Sequence, residues 1–210
     1  MGRLNSNNGM SGRIGKIVYY QVDGQTMARA HVVPDQSNPS PLQLASRRRF
    51  TEATAFTKYI KPVLELGFAN HQKGKRHALN AAFSNIRMRG FIGESTTLDP
   101  SLVAISDGTL TGMRGGKVYW KNNETAVVEW EDNTGFGTAS ARDKVAVLLY
   151  DTVKRRAFYI LEGNPRSAKR QEIKVEDFEY HEGNLHVYAF FTNKAGRTPL
   201  ISESTYLDLI

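Results

Sequence analysis

The spacing of hydrophobic positions changes character partway along the chain. From Leu42, at about 100° per residue, the side chains of Ala45, Phe50, Ala53, Phe56 and Ile60 fall within one apolar stripe, the pattern of a helix with one buried face. Its start is also marked. Ser40 can cap the first turn, Pro41 stands where a missing N–H costs nothing, and Gln43 lies three residues after the cap, as in a capping box. Pro62 then ends this helix or kinks it before one more turn, with Gly67 as a natural stop. A second helix is expected over about residues 75–88, where Ala78, Ala81, Ala82 and Ile86 make a small-residue face suited to packing on the first.

On either side of these helices the rhythm is that of strands. Ahead of them, RIGKIVYYQVDGQTMARAHVV is expected to form two strands around Asp23-Gly24, a dipeptide suited to the positive φ angles of a tight turn. Two strands alone are marginally stable in water, so this ribbon must pack on its own helices or on a neighbouring subunit. Beyond Leu102 about seven strands are expected. Two flank Asn122-Asn123 as a hairpin, with Val118, Trp120, Val128 and Trp130 on one face, and KVAVLLYD, apolar on both faces, is a central strand. RRAFYIL, QEIKVEDF, LHVYAFFTN and STYLDLI complete the set. The pattern predicts an α+β chain: an N-terminal β-hairpin with two helices in a basic module (residues 1–100), then an immunoglobulin/fibronectin III-like antiparallel β-sandwich domain (residues 101–210), with FIGESTTLDPS as the linker.

Charge sharpens this division. The net charge is +7, and residues 1–100 hold 14 Lys/Arg against 6 Asp/Glu whereas residues 101–210 hold 14 against 15. The basic excess therefore belongs to the first module, where a polyanion or an acidic partner would find it. Helical phase separates the arginine triplet: Arg47 and Arg48 point away from the apolar stripe, while Arg49 points into it and is expected to snorkel or to pair with a carboxylate. Lys73, Lys75, Arg76, Arg87 and Arg89 decorate the ends of the second helix. The partner-binding residues this suggests are Tyr19, Tyr20 and Arg29 of the ribbon with Arg47, Arg48 and Tyr59 of the helix. In FTKYIK, Phe56 and Ile60 are core by phase, which leaves Tyr59 as the exposed ring.

Little else points to chemistry. The absence of cysteine excludes thiol catalysis and thiolate metal sites. GTLTGMRGG and GFG lack the strand, loop and helix order of a phosphate cradle and are expected to be turns. DNTG has no acidic partner at calcium-loop spacing. If Gly183-Asn184 is a hairpin loop, His181 faces His186 across the strands, but such a pair is ordinarily surface decoration, and no metal or cofactor is assigned. No catalytic signature stands out, so no enzyme activity and no small-molecule substrate are expected. The start lacks the apolar run of a signal peptide and no stretch is long enough to span a membrane, which makes cytoplasmic synthesis the expectation.

GRIGKIVYYQVDGQTMAR, NPSPLQLASRRRF and IKPVLELGF, followed by VEWEDNTGFGTASARDKVAVLLYD and LHVYAFFTNKAGRTPLISESTYL, resemble in order and spacing an uncharacterised family common in Bacteroidetes, of about this length. Gln43, Arg47 and Phe50 fall on that family's pattern, and Asn38-Pro39 sits one residue closer to the cap than usual. The resemblance implies the hairpin, helices and sandwich and carries no established activity. The Asn-Pro to Gln to Arg helix start is also locally similar to bacteriophage virion proteins, which implies a structural role. Together these suggest a non-enzymatic structural or interaction protein, a homo-oligomer or part of a larger virion-like or filament-like assembly. Nucleic acid bound by the same basic face is the alternative.

Overall fold

The computed structural model describes residues 3–5, 9–22, 25–33, 38–72, 77–194 and 199–210. The chain divides into two compact units, residues 1–41 and 42–210. The first is an antiparallel meander of four strands, β1 (Arg3–Asn5), β2 (Gly9–Ile14), β3 (Ile17–Val22) and β4 (Gln25–Ala30), paired in that order. The expected hairpin is its β3–β4 half, with Ile17 opposite Ala30 and Val22 opposite Gln25. Asp23-Gly24 lies outside the described residues. The strands ahead of it were masked in sequence by glycine and asparagine; Gly15, at φ +58°, takes the left-handed turn between Ile14 and Ile17 that few other residues adopt.

The second unit begins with α1 (Pro41–Lys58), α2 (Lys61–Gly67) and α3 (Ala78–Arg89), so Pro62 marks a break followed by two further turns. Lys73, Lys75 and Arg76 lie outside the described residues. Seven longer strands and one two-residue strand follow: β5 (Arg114–Asn122), β6 (Thr125–Glu131), β7 (Lys144–Asp151), β8 (Arg156–Ile160), β9 (Arg170–Lys174), β10 (Leu185–Asn193), β11 (Leu200–Ile201) and β12 (Thr205–Leu209), with a one-turn helix, α4 (Phe178–His181), before β10. They form two antiparallel sheets. One runs β5-β6-β9; in the other, β8, β7 and β10 lie side by side and β10 pairs with both β11 and β12 along its far edge.

The sheet containing β7 and β10 is the middle layer. On one face Ala146, Leu148 and Tyr150 of β7 and Tyr188 and Phe190 of β10 share a core with Ala53, Phe56, Ile60, Leu64, Ala82 and Ile86 from the helices. Val145, Val147 and Leu149 with Val187, Ala189 and Phe191 pack on the other face against Ala126, Val128, Trp130 and Ile173 of the three-stranded sheet. Strands buried on both faces need unbroken apolar runs, which VAVLLY and VYAFF supply.

This corrects the division expected at residue 100. A helical module and a self-contained β domain would each need a core of its own, yet the helices and the middle sheet share one, and the break between units falls at Pro41. Gly67 is needed for a different reason than the one its sequence suggested. A Cβ there would lie 2.2 Å from the Ile105 carbonyl oxygen, so the glycine permits close approach of α2 to the 105–107 segment, where the Asp107 N–H bonds to the Gly67 carbonyl.

Helix α1 departs from its expected stripe. Ala53, Phe56 and Ile60 are buried, but Leu42 is 81% exposed and Phe50 half exposed, its ring edge-on to Phe83 at 5.0 Å. Burial begins at Ala53 because only the last turns of α1 join the shared core. Arg49 is structural as its phase implied, although its partners are carbonyls rather than a carboxylate. It donates to the carbonyls of Gly93 and Ser95, with its guanidinium 5.3 Å from the centre of the Phe91 ring.

Candidate interaction site

The suggested partner residues fall into two groups on separate units. Tyr20 and Arg29 share one face of the N-terminal sheet, the guanidinium 6.0 Å from the ring centre, while Tyr19 lies on the opposite face with Ala28. Arg47 and Arg48 are exposed on α1, and their side chains make no hydrogen bond or ion pair with another described residue. Tyr59, just after α1, has Lys58 above its ring at 5.4 Å.

None of the side chains of residues 10–22 and 25–33 is buried. The face formed by Ile14, Ile17, Tyr19, Ala28 and Ala30 is free of charge; the other presents Val18, Tyr20 and Met27 with Arg13 and Arg29. Such a sheet has given up backbone entropy without a buried side chain to offset it.

In the second unit the titratable groups do structural work. The turn from β7 to β8 is held by Asp151, one of whose oxygens accepts from the N–H groups of Val153 and Lys154 at 2.9 and 2.8 Å while the other meets His181 Nδ1 at 2.8 Å. This overturns the facing histidines: β10 pairs with β7 and β12 instead of folding back across Gly183-Asn184, which places His181 in α4, buried on Asp151, and His186 beside the Tyr206 hydroxyl at 3.1 Å. Among the described residues no group of His, Asp and Glu could hold a metal ion.

Burial lowers the pKa of His186 from its ordinary 6.5, against the opposing pull of Asp99 and Asp151. The unfolded chain then binds the proton first, so stability is present above about pH 6.5 and is lost as pH falls further. His186→Gln is expected to flatten the acid limb of the melting-temperature profile between about pH 7 and pH 5; a limb as steep as in the parent would contradict this.

Arg166 is the largest fully buried side chain. It donates through Nε to Asp143 Oδ2 at 3.1 Å, through Nη1 to the Gly112 carbonyl and Asn133 Oδ1, and through Nη2 to the Thr111 carbonyl. Burial lowers its pKa and Asp143 works against that shift.

The sequence hid one further surface. Lys154, Arg155 and Arg156 form a second basic triplet, obscured because residues 101–210 are nearly neutral overall. Arg155 takes the left-handed conformation at φ +57°. A groove of about 490 Å³ lies beside the turn, lined by Tyr59, Arg155, Arg156, Phe158, Lys174 and Glu176. Arg155 also lines an adjoining cavity of about 230 Å³ with Tyr150, whose hydroxyl pKa burial pushes up to about 12.

These features define an α+β protein with antiparallel sheets, an N-terminal sheet without a buried side chain among residues 10–22 and 25–33, and a cationic groove. The chain belongs to the family of unknown function DUF6266, whose family model matches residues 9–208. No curated protein and no solved structure matches the chain. Among the described residues no helix is long and apolar enough to cross a membrane.

Proposed function

We propose that this chain is a non-enzymatic structural or interaction protein, a subunit of a homo-oligomer or of a larger virion-like or filament-like assembly, which docks through its N-terminal sheet. The observation that carries the reading is the sheet itself: four strands with no buried side chain among residues 10–22 and 25–33, in a chain whose second unit has a complete two-sided core. A second subunit covering the charge-free face would supply the burial the sheet lacks without bringing like charges together. The non-enzymatic part is supported by the use of Arg166, Asp143, His181 and Asp151 as internal ties. We further read the two sheets as a fibronectin III-like sandwich. Its support is the strand order: the first, second and fifth long strands form one sheet, and the fourth, third, sixth and seventh the other.

Light scattering on a size-exclusion column tests the docking. The expected result is a mass above that of the monomer at high concentration, or a heavier complex in cell extract, lost in Ile17→Asp. A strict monomer in both settings would overturn the reading. The side chains of Arg47 and Arg48, exposed and unpaired among the described residues, favour the alternative of nucleic acid bound by the basic face, but Tyr19, Tyr20 and Arg29 belong to the other unit.

A further inference from the structure

The groove beside the β7–β8 turn has features that a solvated charged surface does not require. Its cations come from two separate segments, Arg155 and Arg156 where the turn enters β8 and Lys174 from the end of β9. The turn is fixed from beneath, because both oxygens of the buried Asp151 are engaged, on the Val153 and Lys154 N–H groups and on His181. Arg155 is then held at a positive φ that a non-glycine residue adopts only when its surroundings impose it. Its guanidinium has no hydrogen-bond or ion-pair partner among the described residues.

The aromatic rings around this groove point to the kind of ligand. Two carry a cation: Lys58 lies 5.4 Å from Tyr59 and Arg156 5.9 Å from Phe158. Tyr59 is exposed and Phe158 half-buried. Rings flanked by cations are what single-stranded nucleic acid uses, since each base can stack on a ring while the adjoining phosphate meets a positive charge. An acidic peptide would use the cations and leave the rings idle.

A simpler account is that the arginines protect β8, an edge strand, from pairing with another chain. That explains a charge at Arg156. It does not explain why Lys174, from another strand, lines the same groove. The one acidic wall residue, Glu176, meets Arg156 at 3.5 Å, with both side chains mostly exposed, and so forms a weak pair that a phosphate can displace.

We propose that this groove binds single-stranded nucleic acid without sequence preference, with phosphates on Arg155, Arg156 and Lys174 and a base stacked on Tyr59. The proposal is independent of assembly through the N-terminal sheet, since every residue it uses belongs to the second unit.

Fluorescence anisotropy of a labelled oligo-dT of about twenty nucleotides, titrated with the full chain at about 50 mM salt, tests it. The double variant Arg155→Glu/Lys174→Glu is expected to bind at least tenfold more weakly. The slope of log affinity against log salt should fall by about 1.4, because two phosphate contacts are lost. Tyr59→Ala is expected to lose about tenfold through stacking, whereas Lys117→Ala/Arg142→Ala, at exposed cations away from the groove, should bind like the parent. All these positions are exposed, and melting curves matching the parent will show that the variants are folded. Three results would overturn the proposal: no binding by the parent at low salt, parent-like binding by the double variant, or binding of poly-glutamate as tight as oligo-dT with Tyr59→Ala affecting neither.

Discussion

Replacing Arg166 by alanine is expected to cost about 3–5 kcal/mol of folding stability, a large share of the roughly 5–15 kcal/mol that holds a typical domain together. The side chain is fully buried and ties four segments, at residues 111–112, 133, 143 and 166. Its removal leaves the Asp143 carboxylate buried without its countercharge. Among the described residues that group keeps only the Ser140 N–H and the Asn193 amide, at 2.8 Å each, as donors. It also empties the space 3.7 Å above the centre of the Phe191 ring. Arg166→Lys should lose most of the same stability, since one ammonium cannot reach the carboxylate, the carbonyls and the Asn133 amide that the planar guanidinium bridges. Urea unfolding measures this. A midpoint near that of the parent in either variant would show that the network adds rigidity without stability.

Phe190→Ala and Phe191→Ala should each cost about 3–5 kcal/mol, although the two side chains point to opposite faces of one strand. Phe190 lies in the core shared with the helices, and Phe191 stands edge-on to Trp130 at 5.6 Å in the core between the sheets. In a sandwich whose outer face met solvent, one of the two substitutions would be nearly neutral. Thermal unfolding of both variants distinguishes these cases, and a loss at Phe191 alone would refute the middle-layer placement of the sheet. The two losses should also be felt in a single transition, since one sheet joins both cores.

What was legible in the sequence was mostly local. VAVLLY announced a strand buried on both faces, and the alternation about Asn122 placed Val118, Trp120, Val128 and Trp130 on one side, where Val128 and Trp130 are core and the other two pack against it. What covers the second face of β7 was not legible. The stripe of α1 says that something packs there without saying what, and the answer joins residues about a hundred positions apart. Phe50 misled because helical phase cannot tell which turns lie over a core. The histidine pairing failed on topology, as the partner of β10 lies more than thirty residues upstream in β7. The cationic groove was missed for a related reason: Tyr59, Arg155 and Lys174 come from three distant segments that only the fold brings together.

Hydrogen exchange followed by mass spectrometry at two protein concentrations tests the assembly role most directly. In dilute solution the amides of β2–β4 should exchange far faster than those of β7 and β10, and they should become protected as concentration rises and a second subunit covers the sheet. Full protection of β2–β4 in the dilute monomer, or rapid exchange at every concentration, would contradict it.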